Sequence, residues 1–302
     1  MAVFVLPFLD ALARDLVQPK DGPPVDFTRP AGEPALVSAD SVSWRIFKNP
    51  VALFVGGVAA VILELADPAV RTGVWEHSSF RREPVHRLRR TGLAAMVTVY
   101  GAASEARAMI AHVVRLHEKV AGRTPAGQPY HANDVALLTW VQATAEFGFA
   151  QAYRQYVNAL SLEELDRLCE EGLAAAQLYG ALDAPASLAD LERLFEARRE
   201  RLEASPIVFE FLDILHAAPV FPLAMRPLQR LLIRAAVELV PAWIRARLGL
   251  TAAFGLRFWQ RPLVRLAGAL ADRIMLRSSP AVQSCVRLGL PADYLYRRGG
   301  GT

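Results

Sequence analysis

A run of apolar residues from Val51 to Leu63 is the feature that most constrains how this chain folds. Asn49-Pro50 precedes the run, and proline is well tolerated in the first turn of a helix. The run stops at Glu64, which makes it too short to cross a bilayer as a helix. We therefore predict a buried helix over about 50–66, in a chain whose 302 residues can bury a large core.

The rest of the sequence also predicts helices, separated by glycine and proline. Further helices are expected at about 84–100, 103–121 and 133–157. Two more are expected to begin at Ser161, which starts a capping-box pattern, and at Ser187. A loop is expected over 123–132, short helices are expected between the prolines after Pro206, and no strand pattern is present. The predicted fold class is all-α, with an irregular lead-in over 1–40 and one large multi-helix domain over 41–302.

Positive charge is concentrated in the last third of the chain. From Phe221 to Thr302 there are thirteen arginines but only three acidic residues, Glu238, Asp272 and Asp293. This region (its helices span about 206–302) could meet an anionic surface such as lipid headgroups. Alternatively, its arginines lie on the solvated faces of amphipathic helices, which is the commoner outcome. Its aromatic residues are too sparse to predict nucleic-acid binding.

Two features bear on the compartment. The N-terminus lacks a basic segment and a nearby cleavage site, so no secretory signal is predicted. Cys169 and Cys285 are the only cysteines, and they give no support for a disulfide framework. We therefore expect a reducing, cytoplasmic location, with peripheral membrane contact through the basic C-terminal helices as a further expectation.

His117 is the candidate ligand on the helix expected over 103–121. One face of that helix is apolar: Met109, Val113, Leu116 and Val120. His117 lies beside that face, whereas His112 falls on the polar side. A neutral imidazole that faces a core can bind a metal ion. Judged from its helix alone, however, a core histidine satisfied by hydrogen bonds is the commoner outcome.

Arginines crowd the start of the helix expected over 84–100, at positions 81, 82, 87, 89 and 90. Positive charge at a helix N-terminus opposes the helix dipole, so an anionic partner would explain the cluster. Arg87, Arg90 and Thr91 share one side of the helix, and this side is expected to face inward. The alternative is a solvated basic loop whose arginines pair with Glu76 and Glu83.

Several blocks of residues in this part of the chain occur in the order of one known family. The blocks are Asn49-Pro50, Ala66-Asp67-Pro68-Ala69-Val70, Gly73-Val74, His77-Ser78-Ser79-Phe80-Arg81, 84–91, 115–122, 130–134 and 138–144. Together they resemble the catalytic domain of the rubber oxygenases (latex clearing proteins) and the MpaB-type oxygenases. Each block is weak alone, but their order over about 49–145 is specific.

The resemblance implies an all-helical fold that encloses a b-type haem, with its binding core over about 49–160. The family's proximal iron ligand corresponds to His117, and its distal basic–x–x–basic–Thr run corresponds to Arg87, Arg90 and Thr91. Latex clearing proteins carry lysine where this chain has Arg90. Because a guanidinium stays protonated and is a poor iron ligand, Arg90 is expected instead to hydrogen-bond dioxygen or a haem propionate.

The resemblance also implies an acid on the distal side, and Glu64 and Glu76 are both candidates. Trp140 is a candidate for the lining of the cofactor, although packing is the commoner role of a buried tryptophan. The walls of an apolar haem slot are expected from three segments: 51–63, 109–120 and 137–141.

By this resemblance, the chain is expected to be a haem b-dependent oxygenase. Such an enzyme would activate dioxygen to oxidise or cleave a lipophilic, isoprenoid-like substrate. Two alternatives stay open. One is a non-catalytic basic protein of the same fold that binds a membrane surface or a protein partner, and the other is a haem protein that uses peroxide. The sequence contains no nucleophile-elbow motif and no phosphate-binding glycine loop.

Overall fold

The computed structural model describes residues 25–297, and within them the chain is mostly helical. The fourteen α-helices of this described part are α1 (Val42–Phe47), α2 (Pro50–Glu64), α3 (Pro68–His77), α4 (Pro84–Tyr100), α5 (Ala103–His117), α6 (Val135–Tyr156), α7 (Leu162–Tyr179), α8 (Leu188–Ala197), α9 (Pro206–Ala217), α10 (Arg226–Leu239), α11 (Ala242–Leu248), α12 (Arg261–Ala271), α13 (Pro280–Arg287) and α14 (Tyr294–Arg297). Short 3₁₀ segments lie at Arg199–Arg201, Leu223–Met225 and Phe258–Gln260. The predicted all-α class is confirmed.

The core is built on α2 and α6, which pack against each other along most of their length. Asn49 starts α2 as predicted, because its Oδ1 accepts hydrogen bonds from the Val51 and Ala52 amides at 3.1 and 3.0 Å. A Cβ on Gly56 would lie 2.8 Å from the Gly148 carbonyl oxygen, so the two backbones approach closely only because glycine is present. The predicted buried helix is thus the centre of the fold.

The other helices surround this pair. Helices α10 and α12 cover α2 and α6 on one side, and α7 and α8 pack along α6. Helices α4 and α5 pack on each other, and α5 also packs on α7. The capping box predicted at the start of α7 is present: Glu164 N donates to Ser161 Oγ at 3.1 Å, and Ser161 N donates to Glu164 Oε2 at 2.8 Å.

A second, smaller core joins the described part of the lead-in to the C-terminal helices. Trp44 and Tyr100 meet edge to face at 4.9 Å, and the Tyr100 hydroxyl donates to the Trp44 carbonyl at 2.6 Å. The buried Arg287 donates to the backbone carbonyls of Phe27, Glu33 and Tyr100 at 2.7–3.0 Å. Residues 25–40 contain no helix, and residues 1–24 of the predicted lead-in lie outside the described residues.

Two sequence predictions are wrong in this region of the fold. The helix expected over 103–121 ends at His117, and the expected loop contains a two-stranded antiparallel sheet, β1 (Ala121–Arg123) with β2 (Pro129–His131). The sheet forms because Thr124 N donates to the Gln128 carbonyl at 2.8 Å, which closes a turn at Gly127, where φ is +82°. Three-residue strands are too short to give a detectable alternating pattern.

No single helix among residues 25–297 is long and apolar enough to cross a membrane. Helices α2 and α3 meet the criteria of length and composition only when joined, and they are bent by 111° at the break between them. Cys169 and Cys285 are both free and buried, as expected for small core residues.

Candidate functional site

His117 is the last residue of α5, and the segment after β2 holds that helix end in place. The Val114 carbonyl near this end already accepts from the Glu118 amide at 3.1 Å, so contacts from the segment after β2 are additional. Here the Asn133 Nδ2 donates to the Val114 carbonyl at 3.2 Å, and His131 Nε2 lies 3.2 Å from the Glu118 carbonyl. The position of His117 is therefore fixed by a second part of the chain.

The imidazole of His117 is half-buried and carries an unused buried nitrogen. Its Nδ1 makes no hydrogen bond, and neither does the buried Asn133 Oδ1, so the two side chains do not meet in ordinary hydrogen-bond geometry. Burial lowers the pKa of His117, the neighbouring Arg87 lowers it further, and Asn133 opposes the shift. The ring is therefore neutral at neutral pH, which is the form that binds a metal ion.

Arg87 lies in the first turn of α4 and links the other groups of the site. Its Nη1 donates to the Thr91 Oγ1, and that hydroxyl donates to the Arg87 carbonyl at 2.9 Å. Burial lowers the pKa of Arg87, and the nearby Glu64 opposes this effect. Arg87 therefore lies within electrostatic range of both His117 at the end of α5 and Glu64 at the end of α2.

Glu64 is the acidic residue of the candidate site. It is the last residue of α2, and burial raises its pKa to about 7, against the effects of Arg87 and the nearby Thr144 hydroxyl, which itself donates to the Val141 carbonyl at 2.8 Å. Glu76, the other candidate acid, is exposed on α3. Burial, together with the charge of Glu76, raises the pKa of Tyr130. The structure thus brings Glu64, and not Glu76, together with Arg87.

Arg90 and Thr91 are exposed, which contradicts the prediction that their side of α4 faces inward. The buried residues of α4 all lie in its second half: Leu93, Met96, Val97 and Tyr100. The first two turns are therefore only partly covered, and the exposed Arg90 adds positive charge beside the half-buried Arg87. The expected face of α5 is also shifted, because Leu116 is 38% exposed while Ala106 and Ile110 are buried.

The sequence was compared with protein-family models, curated proteins and solved structures. The family model described as "ER-bound oxygenase mpaB/B'/Rubber oxygenase, catalytic domain" matches residues 44–271. The chain belongs to this oxygenase family. No match to a curated protein or to a solved structure was found. The resemblance seen in the sequence is confirmed, and the match includes every candidate site residue of this mpaB/rubber oxygenase domain.

Trp140, the remaining candidate, lies in the core of the mpaB/rubber oxygenase domain. It is fully buried, with its ring 4.9 Å from that of Phe195 and 5.8 Å from the Arg198 guanidinium. These contacts explain its burial by packing alone. Its contact with a cofactor stays a prediction.

The donor set at this site suits the haem expected from the sequence. A haem supplies the equatorial ligands of its iron and needs one axial base and cations for its propionates. His117 offers a buried nitrogen without a partner, and the cations near it are the half-buried Arg87 and the exposed Arg90. Residues 25–297 contain no group of three or more His, Cys, Asp or Glu that could hold a metal ion alone.

Sequence reasoning missed the residues that support the site. Asn133 lies at the start of the helix expected over about 133–157, but its side chain contacts the end of α5. Thr144 was part of a matching block without a role, and it acts on the pKa of Glu64. No local pattern identifies either contact, because each depends on the packing of two helices that are distant in sequence. Helix α6 (Val135–Tyr156) has Asp134 at its N-cap position, close to the expected start at about 133.

Proposed function

We propose that this member of the mpaB/rubber oxygenase family is a haem b-dependent oxygenase that acts on a lipophilic substrate. The observation that carries the proposal is the neutral, half-buried His117, whose Nδ1 has no partner and which lies within electrostatic range of Arg87. Arg87 in turn interacts with Glu64. Haem, when bound, would supply dioxygen activation. Oxidative cleavage of an isoprenoid-like double bond is the reaction that the family resemblance favours.

Each side chain has a distinct role in this proposal. His117 would hold the haem iron through a ring nitrogen, and the contacts of Asn133 and His131 with the end of α5 position the backbone that carries it. Arg87 and Arg90 provide positive charge for the propionates or for dioxygen. Glu64, with a pKa of about 7, can hold or release a proton at neutral pH, as a general acid or base requires.

The axial role of His117 can be tested by absorption spectroscopy of the purified protein. The wild type should show a Soret band, as purified or after haem supplementation, and His117→Ala should lose or shift it. The matched control is His112→Ala, because His112 lies on the same helix but is exposed. A wild type that stays colourless after haem supplementation, or a His117→Ala spectrum identical to that of the wild type, contradicts the proposal.

The oxidant and the acid can be tested in turnover of a lipophilic alkene. Turnover with dioxygen alone supports an oxygenase, whereas turnover only with added peroxide supports a peroxide-using haem protein. Glu64→Gln should lower the rate by about 100-fold or more while the Soret band is kept, because a positioned acid or base typically contributes that much. Glu76→Gln is the control and should keep the wild-type rate, since Glu76 is exposed on α3.

A further inference from the structure

A group of large apolar side chains is exposed around α12. The members of this group, the α12 apolar face, are Phe258 (88% exposed), Trp259 (48%), Leu263 (46%), Leu266 (57%) and Leu270 (49%). Phe258 and Trp259 belong to a short 3₁₀ segment that leads directly into α12. Five such residues in thirteen consecutive positions form a patch of the kind that marks a binding surface.

Helix α12 is fixed with this face outward. Its two buried residues, Val264 and Gly268, are four positions apart and lie against the core. A Cβ on Gly268 would clash with the Tyr156 carbonyl oxygen, so α12 approaches the end of α6 as closely as a glycine allows. Because Leu263, Leu266 and Leu270 follow the opposite side of the helix, no small rotation of α12 can bury them.

Positive charge surrounds the α12 apolar face. Arg257, Arg265 and Arg273 are all exposed beside it. The acidic group within this segment, Asp272, is turned inward, since its Oδ2 lies 3.2 Å from the Lys48 Nζ and its Oδ1 accepts from Asn49 at 3.2 Å. The patch therefore presents apolar side chains and guanidinium groups together, without an exposed carboxylate between them.

We propose that the α12 apolar face docks on an anionic lipid bilayer. Leucine, phenylalanine and tryptophan on one side of a helix enter the boundary between headgroups and acyl chains, and arginines beside them reach the lipid phosphates. Tryptophan is also enriched at this depth of a membrane. A second copy of the chain fits less well, because a symmetric contact through this face would bring the two arginine rims together.

Vesicle co-sedimentation of the full-length protein tests the proposal. The wild type should sediment with vesicles that contain phosphatidylglycerol in phosphatidylcholine, and more weakly with phosphatidylcholine alone. The double variant Leu266→Gln/Leu270→Gln should bind at least about ten-fold more weakly, because each exposed leucine loses its transfer into the lipid. Leu162→Gln/Leu182→Gln is the matched control, since both leucines are 67% exposed away from this face, Leu162 at the start of α7 and Leu182 in the turn that follows α7.

A second pair of variants tests the charge. Arg257→Gln/Arg273→Gln should weaken binding to anionic vesicles by about 10-fold or more and leave binding to phosphatidylcholine almost unchanged. Unchanged thermal unfolding of each variant excludes loss of fold. The proposal is overturned if the wild type binds neither kind of vesicle, or if the Leu266/Leu270 variant binds as the wild type does. It is equally overturned if sedimentation velocity shows a dimer that this variant dissociates. None of these outcomes depends on haem, so the result is independent of the proposed function.

Discussion

Burial differs between two helix pairs of the molecule. The central pair, α2 and α6, is largely buried, whereas the outer pair, α4 and α5, buries few residues. Helix α2 buries nine of its 15 residues, and α6 twelve of its 22. Helix α4 buries only four of 17, and α5 only two of 15. The central pair meets through glycines that leave no room for a methyl group, whereas Gly92 of α4 has none of its neighbours within reach of a Cβ.

The candidate site lies where these two pairs meet. Glu64 comes from the end of a tightly packed helix, and Arg87 and His117 come from the ends of loosely packed ones. A rigid scaffold can hold one chemical group while a less stable wall admits a cofactor or a substrate. This difference in packing predicts that substitutions in the central pair and in the outer pair change the free energy of unfolding by different amounts. Substitutions in the two pairs test that difference.

Asp67→Ala should lower the free energy of unfolding the most, because Asp67 links the start of α3 to the buried Arg198. Its Oδ1 caps α3 by accepting from the Ala69 amide at 2.9 Å, and its Oδ2 pairs with Arg198 Nη1 at 2.9 Å, both side chains being buried. Asp67→Ala leaves the buried Arg198 guanidinium without its carboxylate partner. The free energy of unfolding, measured in urea, should fall by about 3–5 kcal/mol. The exposed ion pair of Glu196 with Arg199 supplies the control, and Glu196→Ala should change little.

The double variant Asp67→Ala/Arg198→Met refines this test. It removes the stranded charge, so it should be more stable than Asp67→Ala alone. If both variants lose less than about 1 kcal/mol, the buried pair does not hold the scaffold together.

Gly56→Ala should have the next largest effect. The new Cβ would lie 2.8 Å from the Gly148 carbonyl oxygen and 2.8 Å from the Phe149 Cα, both of them backbone atoms that cannot move cheaply. We expect Gly56→Ala to lower the free energy of unfolding by about 1–3 kcal/mol, although the helix propensity of alanine exceeds that of glycine by about 1 kcal/mol. Gly57→Ala is the matched control in the same helix, since its Cβ would lie an ordinary 3.8 Å from Phe149 Cε1. Equal unfolding free energies for the two variants would show that α2 and α6 are not tightly packed.

The sequence predicted the elements whose signals are local. Helix starts at Pro50, Pro84 and Ser161 follow from proline position and capping residues, and the structure confirms them. The small sheet and the anchoring role of Arg287 were missed, because both depend on partners far away in the chain or on strands of three residues.

Prediction of the site had the same limit. The family blocks identified His117, Arg87 and Glu64 as candidates, but they could not choose between Glu64 and Glu76. That choice depends on which helix end approaches Arg87, which is a tertiary contact. The expected inward face of α4 was wrong at Arg90 because helical periodicity tells which residues share a face, not how far along the helix that face is covered.

Glu146 gives the scaffold a pH dependence of moderate size. It is buried in α6, its Oε1 accepts from Gln142 at 2.7 Å, its Oε2 has no partner, and burial raises its pKa to about 8. The folded protein therefore keeps a proton that the unfolded chain releases above its ordinary pKa of 4.5, so stability falls as pH rises from about 5 to 8. In Glu146→Gln this part of the decline, about 1 kcal/mol per pH unit, should disappear from unfolding curves. The contribution of Glu64 should remain, so an unchanged slope would show that Glu146 ionises in the folded protein.

Gly92→Ala should have the smallest effect, and its sign should be opposite to that of Gly56→Ala. A Cβ at this position of α4 meets no heavy atom within 4 Å, and φ is not in the left-handed region. Alanine should therefore stabilise the protein by about 0.5–1 kcal/mol through helix propensity alone. Thermal unfolding of the two variants in parallel measures the contrast. A loss of stability in Gly92→Ala would mean that α4 packs as closely as α2 does, and the loosely packed wall beside Arg87 and His117 would then have no basis.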